Sequence, residues 1–488
     1  MIATLAAVLC FGALPTGTNA AQAARPNVLF IAIDDMNDWA GFLGGHPQAQ
    51  TPHLDRFAKS ATVFANAHAA APWCNPSRTA LLTGLLPSST GVYHHQHVPW
   101  RNAPRLKSAT TLPQLFRING YSVVGTGKIF HHDNRAQDPD SWDDYWPSRT
   151  RCMERDAPPS GTRPFCGATL RDGEIDWAPL DRPREQMADW KSVNWAIQQL
   201  EKPHDKPFFI ACGIFRPHLP WFAPRAYFDR FPVADIQLPQ VRQDDLDDVS
   251  PAAREAIRQG GAFREIQEAG LWKEGVRAYL ACMAFADDCA GHLLQALDRS
   301  PLRDNTIVVI WSDHGWHLGE KEQWEKVTLW ERATKCVLVV RAPGHAAGRV
   351  AAPASLVDVY PTLVELCGLK EVPQLDGESL VPWLKDAARP RARPSLSTHG
   401  FKNHAIQTER YRFISYANGD EELYDHERDP HEWTNLAGAL EHAAIKAQLR
   451  RQLPENNAPP LIDVSGVKTG RDALMYLIGT PQEVKPQE

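Results

Sequence analysis

Long apolar runs are scarce in this sequence of 488 residues. The longest, between Ile2 and Leu14, is shorter than the roughly 20 residues that a membrane-spanning helix needs. The sequence also lacks a long run of one charge sign, since 52 basic and 58 acidic side chains are spread along it with a net charge of −6. Internal repeats and low-complexity tracts are absent too. These absences argue against a membrane span, a nucleic-acid partner and a repeat architecture.

The apolar start of the chain is typical of a secretory leader. It is followed by the small-residue run "TNAAQAA", which predicts cleavage after one of the residues from Ala20 to Ala24. The basic residues that usually open such a leader are missing, because no residue before Arg25 is charged. The apolar run and the small residues after it nevertheless predict a signal peptide over residues 1–24, and hence a periplasmic or secreted protein.

Cysteine is present at nine positions, and most of them predict little chemistry. Cys152 and Cys166 flank a loop rich in proline, glycine and arginine, and an exported protein meets an oxidising compartment, so we predict a disulfide between them. Cys282 and Cys289 lie seven residues apart in a helical pattern, too far apart to form a disulfide. Only Cys74, in "APWCNPSRTALLTG", has neighbouring residues that suggest a chemical role for the thiol.

Apolar, β-branched runs alternate with helical stretches along most of the chain. The runs that predict strands are "NVLFIAI" (27–33), "YSVVGTG" (121–127), "PFFIACGIF" (207–215), "NTIVVIWS" (305–312) and "CVLVVRAP" (336–343). Such runs, separated by helices like the one predicted over 275–299, are typical of a sheet covered on both faces. We predict an α/β catalytic domain over residues 25–385, with a large, mostly parallel mixed sheet flanked by helices.

The composition changes after residue 385. A segment rich in proline and arginine, "ARPRARPS", is followed by short alternating pieces such as "YRFISYA" and "EELYDHE". Short alternating segments are typical of antiparallel strands. We predict a smaller C-terminal α+β domain over residues 386–488, with an antiparallel sheet and a disordered tail.

Polar side chains follow four of the predicted strands at the points where the strands end. The first strand is followed by Asp34 and Asp35, the second by Lys128 and His131, the third by His218, and the fourth by Asp313 and His314. Ligands bind at the carboxyl ends of the strands in open α/β sheets, so these side chains are expected to converge. Each alone is explained as a turn former or an exposed side chain, but together they favour a functional site.

The carboxylates of this set predict a metal ion. Carboxylates that meet at one edge of a sheet repel each other strongly unless a cation joins them. Oxygen ligands favour Ca²⁺ or Mg²⁺ over zinc, although an imidazole ligand leaves a transition metal open.

The stretch "APWCNPSRTALLTG" (71–84) predicts a helix with Cys74 at its N-terminus. Pro76 suits the first turn of a helix, and Gly84 is a typical helix end. Free N–H groups and the helix dipole favour negative charge at such an N-terminus. Arg78, one turn along, adds a forked cation suited to an oxyanion. The pattern predicts an anion beside position 74, with a divalent cation on its other side.

The string "CNPSRTALLTG" (74–84) resembles the first signature of the type I sulfatases, in which Cys-x-Pro-Ser-Arg directs oxidation of the cysteine to formylglycine. "GYSVVGTGKIFHH" (120–132) is similar to the second signature of that family, and the resemblance extends to "ELYDHERDPHEWTNLA" (422–437). "IDDMNDW", "FRPHLPW" and "SDHGWHLGE" are most similar to the iduronate-2-sulfatase-like branch, with choline-sulfatase-like enzymes as the nearest rival. The resemblance implies an alkaline-phosphatase-like fold.

The resemblance also implies roles for individual residues. It implies Ca²⁺ held by Asp34, Asp35, Asp313, His314 and the modified Cys74. It implies a sulfate group held by Arg78, Lys128, His131, His218 and Lys326. Many sulfatases have asparagine where this chain has His314, which leaves Mg²⁺ as an alternative. The implied cofactors are the metal and 3-oxoalanine (formylglycine), made from Cys74 by a formylglycine-generating enzyme.

The implied chemistry explains why the cysteine is converted. A thiolate that attacked sulfur would form an adduct with no easy exit, whereas a hydrated aldehyde carries two hydroxyls on one carbon. One hydroxyl attacks sulfur and expels the alcohol, and the other, once deprotonated, releases sulfate as the aldehyde re-forms. His218 and Lys326 are the predicted proton donors to the leaving oxygen, and His131 is the predicted base of the second step.

Substrate recognition is predicted from "GVYHHQHVPWR" (91–101), which follows the helix. His95, Trp100 and Arg101 are the predicted rim of the pocket, with His94 and His97 beside them. Indole and guanidinium groups suit a sulfated, carboxylated sugar. An ordinary solvated loop is the alternative. We predict an exo-acting sulfuric ester hydrolase for a sulfated uronate or hexose of an anionic polysaccharide or glycosaminoglycan.

Other functions stay as alternatives at this point. The substrate of a choline-sulfatase-like enzyme would be a small sulfate ester. Phosphoesterases of the alkaline phosphatase superfamily share the sheet and the metal edge, but they usually place serine or threonine at the nucleophile position and assemble two zinc sites. A non-catalytic glycan-binding relative would have a broken nucleophile or metal set, and neither is broken here.

Overall fold

The structure is a computed structural model that describes residues 25–95, 99–131, 137–260, 262–370, 372 and 374–461. The predicted signal peptide, the end of the predicted C-terminal tail and His97 lie outside the described residues. Of the helices that the described ranges contain, none is long and apolar enough to cross a membrane.

The described residues form strands and helices throughout the chain. The strands are β1 Asn27–Ile33, β2 Thr62–Phe64, β3 Ala67–His68, β4 Ser122–Gly127, β5 Asp144–Trp146, β6 Trp177–Leu180, β7 Phe208–Ile214, β8 Trp221–Pro224, β9 Thr306–Ser312, β10 His317–Leu318, β11 Trp324–Glu325, β12 Leu338–Arg341, β13 Gly348–Val350, β14 Ala354–Ser355, β15 Ser395–Thr398, β16 His404–Gln407, β17 Tyr411–Ser415 and β18 Glu421–Asp425. The α-helices are α1 Pro52–Ala58, α2 Cys74–Thr83, α3 Pro87–Thr90, α4 Leu112–Ile118, α5 Ala188–Glu201, α6 Arg225–Phe228, α7 Pro251–Gly260, α8 Ala262–Glu268, α9 Trp272–Arg299, α10 Glu331–Thr334, α11 Val359–Leu366, α12 Val381–Lys385 and α13 Ala443–Arg450.

Eight strands form the central sheet, in the spatial order β13-β2-β12-β9-β1-β7-β4-β5. Neighbouring strands are parallel, except that β12 runs antiparallel to both β9 and β2. This arrangement confirms the prediction of a large, mostly parallel mixed sheet. Since β9, β1, β7 and β4 are adjacent, their carboxyl ends lie side by side at one edge.

Hydrophobic clusters cover both faces of the central sheet. Leu29 and Ile31 of β1 belong to one cluster, together with residues of α5 and α9. Val28 and Phe30 belong to the other, together with residues of α2, α4 and α11. Successive strand residues point to opposite faces. Burial on both faces is therefore the reason that β1, β7 and β9 are apolar without alternation.

The predicted elements agree with the structure where their pattern is long. The five predicted strands correspond to β1, β4, β7, β9 and β12, and the helix predicted over 275–299 is most of α9. The short strands β2, β5 and β13 were not predicted. Each has three residues, which is too short for a periodic pattern to show.

A second sheet lies in the C-terminal part of the chain. It has the order β15-β16-β17-β18, and each neighbouring pair is antiparallel. This confirms the predicted antiparallel sheet, while the domain boundary between residues 385 and 386 stays a prediction. Buried Arg412 of β17 links the two parts, since its guanidinium lies 2.7 Å from Glu331 and 2.8 Å from Glu432.

Cys152 and Cys166 are free thiols, which contradicts the predicted disulfide. Cys152 is buried in the cluster that contains Phe130 and Trp142. Cys166 packs against the cluster on the other face of the sheet, and its thiol donates a 3.3 Å hydrogen bond to the carbonyl of Ala168. The composition of the loop suggested a pair, but the two thiols belong to different cores.

Candidate active site

The residues that follow four adjacent strands meet at the carboxyl edge of the central sheet. Asp34 and Asp35 follow β1, Lys128 follows β4, and Asp313 and His314 follow β9. All five side chains are fully buried. His218 follows β7 and His131 follows β4 after a short segment. The side chains that the sequence predicts at one edge of the sheet therefore lie together in the structure.

Cys74 begins helix α2, as the sequence predicts, and its side chain is fully buried. Gly84 ends the helix with a φ of 70°, a left-handed conformation that glycine adopts without strain. The unpaired N–H groups of the first helical turn lie at the end that carries Cys74. Residue 74 is therefore positioned where a negative charge is favoured.

Polar groups surround the sulfur atom of Cys74. The Nζ atom of Lys326 lies 3.1 Å from Sγ, and Nε2 of His314 lies 3.3 Å away. The Nζ atom of Lys128 and Oδ1 of Asp35 are each 3.8 Å from Sγ. Burial raises the pKa of the Cys74 thiol, whereas Lys128 and Lys326 lower it. An oxyanion attached at this position would meet two ammonium groups.

Arg78 joins two of the carboxylates. Its Nη2 lies 2.7 Å from Oδ1 of Asp34, and its Nε lies 2.9 Å from Oδ2 of Asp313. Nη1 donates to the carbonyls of Lys128 and Ile129, at 2.5 and 2.9 Å. Four of the five N–H donors that an arginine offers are therefore used within the protein. One N–H of Arg78 therefore remains for the predicted contact with sulfate.

The two lysines complete the pairing of the carboxylates. Lys128 Nζ lies 2.5 Å from Oδ2 of Asp34, and Lys326 Nζ lies 2.7 Å from Oδ1 of Asp35. Buried charges are costly unless they are paired. Side chains therefore supply part of the positive charge that the sequence prediction assigned to a metal.

The pKa values reflect this pairing. Burial raises the pKa of Asp35 to about 8, although Lys326 opposes the shift. Burial alone would also raise the pKa of Asp313, but Arg78 and His314 outweigh it and hold that pKa well below its ordinary value. Asp313 therefore stays ionised more firmly than Asp35.

The donor set fits a divalent cation. The Nδ1 atom of His314 donates to the carbonyl of Gly315 at 2.9 Å, which leaves the lone pair of Nε2 towards Cys74 and Asp35. Burial lowers the pKa of His314, so its ring is neutral as a metal ligand requires. Oδ2 of Asp35 is buried and has no hydrogen-bond partner among the described residues. One ligand atom each from Asp35, Cys74, Asp313 and His314 lies within 4.8 Å of the others.

Asp34 fits the cation less directly than the other implied ligands. Both of its oxygens already accept a hydrogen bond, one from Arg78 and one from Lys128. A carboxylate has further lone pairs, so Asp34 offers a cation only those that its two partners leave.

His218 lies on the outer side of Asp35. Its Nε2 is 3.8 Å from Oδ2 of Asp35, and its Nδ1 donates to the carbonyl of Leu219 at 2.6 Å. This hydrogen bond fixes the ring so that Nε2 is the nitrogen that exchanges a proton. The side chain is 20% exposed, more than the carboxylates beside it.

His131 and His95 lie on another side of the cysteine. His131 is buried, and the ring of His95 meets it edge-on with a centroid distance of 4.1 Å. His95 also stacks on Trp73 at 4.4 Å. One ligand atom each of Cys74, His95 and His131 lies within 4.8 Å of the others. The structure therefore places His95, a predicted residue of the pocket rim, next to the nucleophile position.

The structure does not support the predicted pocket-rim role of Trp100 and Arg101, because Trp100 is buried in the core and Arg101, whose side chain is 27% exposed, is held by an ion pair. Trp100 is 1% exposed and stacks on Phe130 at 6.1 Å. Arg101 forms a bidentate ion pair with Asp138, in which Nε and Nη2 lie 2.7 and 2.8 Å from the two carboxylate oxygens. Arg101 also donates to the carbonyl of Ala109. These bonds hold the loop together, because buried or half-buried donors need partners.

Two residues that shape the site were missed. Tyr279 of α9 donates from Oη to the carbonyl of Asp35 at 2.8 Å, and Oη accepts from the N–H of Asn37 at 2.9 Å. This contact supports Asp35 at a φ of 57°, which is uncommon for residues other than glycine. Ser77 donates to the carbonyl of Asp313 at 2.5 Å. Ser77 lies in the quoted signature, whereas Tyr279 is 244 residues from Asp35 and gives no local signal.

The fold and the site together define a hydrolase of the alkaline phosphatase superfamily. The chain belongs to the sulfatase family within it. The family model named Sulfatase matches residues 26–369, and the model for the C-terminal part of N-sulphoglucosamine sulphohydrolase matches residues 319–459. These matches confirm the resemblance that the cysteine signature indicated.

Several curated relatives are similar over most of the chain. A protein named Sulfatase from Formosa agariphila is 36% identical over 449 residues, covering 89% of this chain and 87% of its own. Iduronate 2-sulfatase from Homo sapiens is 31% identical over 399 residues, covering 71% and 70%. Choline-sulfatase from Rhizobium meliloti is 28% identical over 451 residues, covering 87% and 85%.

Solved structures share the fold at lower identity. A protein solved with its substrate D-glucosamine-2-N,6-O-disulfate has a TM-score of 0.70 and 21% identity, covering 88% of this chain and 96% of its own. The phosphonate monoester hydrolase of Agrobacterium radiobacter has a TM-score of 0.70 and 22% identity, covering 88% and 94%. These two structures support the alkaline-phosphatase-like fold and leave the substrate to be argued from the site.

Proposed function

We propose that this sulfatase removes sulfate from a sulfated sugar, a uronate or hexose unit of an anionic polysaccharide or glycosaminoglycan. The observation that carries the proposal is the pair of ammonium groups, Lys326 and Lys128, at 3.1 and 3.8 Å from Sγ of Cys74 at a helix N-terminus. Such a pocket favours an anionic group beside residue 74. The sugar is supported by one relative named iduronate 2-sulfatase and by a structural neighbour solved with a sulfated glucosamine.

The nucleophile in this proposal is formylglycine at position 74, made from the cysteine by a formylglycine-generating enzyme. The hydrated aldehyde supplies one hydroxyl that attacks sulfur and a second whose deprotonation releases sulfate. A buried, unmodified thiol whose pKa is raised by burial would be a poor nucleophile. The conversion therefore suits the surroundings of this cysteine better than a cysteine hydrolase does.

Ca²⁺, or Mg²⁺ as the alternative, is the proposed metal, with Asp34, Asp35, Asp313, His314 and residue 74 as its ligands. When bound, the metal supplies Lewis acidity at the nucleophile and neutralises charge on the sulfate oxygens. The three carboxylates are already paired with three cationic side chains. A divalent cation therefore gives the site a net positive charge, which favours an anionic ester.

Each side chain of the cluster has a proposed task. Lys128 and the free N–H of Arg78 neutralise the sulfate, and Arg78 also holds Asp34 and Asp313 in position. His218 Nε2 and Lys326 Nζ give a proton to the leaving oxygen, since both lie at the cluster and carry exchangeable protons. His131 accepts a proton in the release of sulfate. His95, which meets His131 edge-on, contacts the substrate.

The site of action is proposed from the leader alone. The apolar start of the chain and the small-residue run that follows it support a periplasmic or secreted protein. An extracellular polysaccharide would be accessible to such a protein.

The proposal is tested with protein that has been produced together with a formylglycine-generating enzyme. We expect release of sulfate from a sulfated uronate disaccharide or a hexose sulfate, with weaker turnover of choline sulfate and of phenyl phosphate. Cys74→Ala is the matched control, because it removes the nucleophile and leaves the surrounding charges in place. Turnover of choline sulfate alone would contradict the sugar proposal, and turnover of the phosphate ester alone would contradict the sulfatase proposal.

A further inference from the structure

A cavity of about 350 Å³ lies beside the catalytic cluster, with His218 in its wall. The cavity has the volume of a typical small-molecule site, about 300–1,000 Å³. Phe215, which also lines the cavity, stacks on His218 with a centroid distance of 4.7 Å, and Nζ of Lys128 lies 5.4 Å from the centre of the Phe215 ring. His218 and Phe215 therefore lie both in the cavity wall and next to residues of the catalytic cluster.

The wall of this cavity is apolar over much of its extent. Met153, Leu219 and Phe222 line it and are almost completely buried. Apolar and aromatic walls with a few polar groups are typical of pockets for sugars and other small molecules. A sugar ring placed here would lie next to His218, which lines the cavity.

The acidic residues of the cavity are already neutralised by the protein. Asp189 accepts hydrogen bonds from the N–H groups of Phe215 and Arg216, at 2.7 and 3.0 Å. Asp156 accepts from the N–H of Ala188 at 2.9 Å and lies 3.6 Å from Nη2 of Arg216. Neither carboxylate therefore presents an unpaired negative charge to a ligand.

The remaining acid of the wall, Glu154, lies 3.2 Å from Nζ of Lys191. Two of the three arginines in the wall are paired as well. Arg163 donates to Asp176 at 2.9 Å, and Arg216 lies against Asp156. These pairs cancel most of the charge of the cavity.

Arg155 is the exception. Its side chain is exposed and lines the cavity, and no carboxylate among the described residues is within ion-pair distance of it. The next residue, Asp156, is anchored by its bonds to Ala188 and Arg216. The residue next to Arg155 is therefore held in place, and the wall presents one guanidinium without an ion-pair partner among the described residues.

We propose that this cavity holds the sugar that carries the scissile sulfate, and that Arg155 pairs with a second anionic group, a carboxylate or a further sulfate, on that sugar. The inference rests on the proposed function, in which His218 donates a proton to the leaving oxygen. Since His218 also lines the cavity, the sugar that carries this oxygen would lie in the cavity. A guanidinium without a partner favours a planar or tetrahedral oxyanion. The same charge repels the quaternary ammonium of choline sulfate, so the cavity selects sugar substrates against it.

The test compares two matched substrates, a uronate sulfate and the corresponding hexose sulfate that lacks the carboxylate. For Arg155→Gln we expect the ratio of their kcat/KM values to fall about tenfold, as expected for loss of a charge-assisted bond. The loss is expected in KM, because the contact is the same in the bound substrate and in the transition state. Arg151→Gln, an exposed arginine of the same segment outside the cavity wall, is the control. For Arg155→Glu the ratio falls further, and the KM for choline sulfate decreases.

A binding measurement separates this inference from the proposed function. Calorimetric titration of the uronate sulfate into Cys74→Ala, with and without Arg155→Gln, reports the contact without any turnover. Weaker binding in the double variant supports the cavity even if the unmodified sequence hydrolyses no sugar sulfate. Equal affinities of the two proteins, or an unchanged substrate ratio in Arg155→Gln, would overturn the inference.

Discussion

The Nη2 atom of Arg78 lies 2.7 Å from Oδ1 of Asp34, and both side chains are buried. The same guanidinium contacts Asp313 at 2.9 Å through Nε. Arg78 therefore fixes the distance between the acidic residues that follow β1 and β9. Only a forked cation can hold both carboxylates in this way.

Replacement of Arg78 by lysine is expected to disturb both carboxylates. A lysine ammonium reaches one of the two acids, so Arg78→Lys leaves the other buried without its partner. We expect kcat/KM to fall about 100-fold or more, because a shift of about 1 Å in catalytic groups costs that much. Steady-state kinetics on any sulfate ester that the protein turns over measure the loss. Activity within a few fold of the original would contradict the bridging role of Arg78.

Calcium is expected to raise the melting temperature. A ligand that binds only the folded protein stabilises it by about 2.7 kcal/mol when its concentration is 100 times Kd. Melting curves recorded with a chelator and then with added Ca²⁺ or Mg²⁺ measure the effect. Asp313→Asn should abolish the calcium-dependent shift, whereas Asp304→Asn, an exposed acid far from the site, should retain it. A melting temperature that does not respond to either metal would contradict the proposed metal site.

The ion-pair cluster between the two sheets should make stability depend on pH. His426 lies 2.9 Å from Glu432 and 3.5 Å from Glu331. Burial alone would lower the pKa of His426, but the two carboxylates outweigh it and raise that pKa above its ordinary value of 6.5.

A raised pKa means that the folded protein favours protonated His426. Its contribution to stability is complete below pH 6.5 and is lost as the pH rises through the pKa of the folded state. The melting temperature of the wild-type protein should therefore exceed that of His426→Gln at low pH, and the difference should shrink as the pH rises. A difference that grows with pH would contradict a raised pKa of His426 in the folded protein.

The cysteines should all be free under non-reducing conditions. All eight cysteines of the described residues are free thiols in the structure. Alkylation of the denatured, unreduced protein should label every one of them except residue 74, if that residue has become formylglycine. Labelling of Cys152 and Cys166 only after reduction would show that they form the disulfide that the structure contradicts.

The central fold was predictable because its strands are buried on both faces. β1, β7 and β9 are apolar without interruption, and such runs are long enough to recognise. Their carboxyl ends then place Asp34, Asp313 and His218 at one edge by the rule that governs α/β sheets. The helix that begins at Cys74 was predictable from Pro76 and Gly84 for local reasons.

The remaining features depend on contacts between distant residues. The residue type of Arg101 suggested a contact with a sugar. Its partner Asp138 lies 37 residues away, so the local sequence does not predict this ion pair. Cys152 and Cys166 were paired by loop composition, although they pack against different faces of the sheet. The support of Asp35 by Tyr279 likewise requires the packing of α9 against the end of β1.

Formylglycine at position 74 is tested most directly by the intact mass of the peptide that contains this residue, taken from protein that is active on a sulfate ester. We expect the mass of an aldehyde, or of its hydrate, in place of the mass of the thiol. Activity should also rise in proportion to the fraction of protein in which Cys74 has been converted. An unmodified Cys74 thiol in fully active protein would contradict formylglycine as the nucleophile.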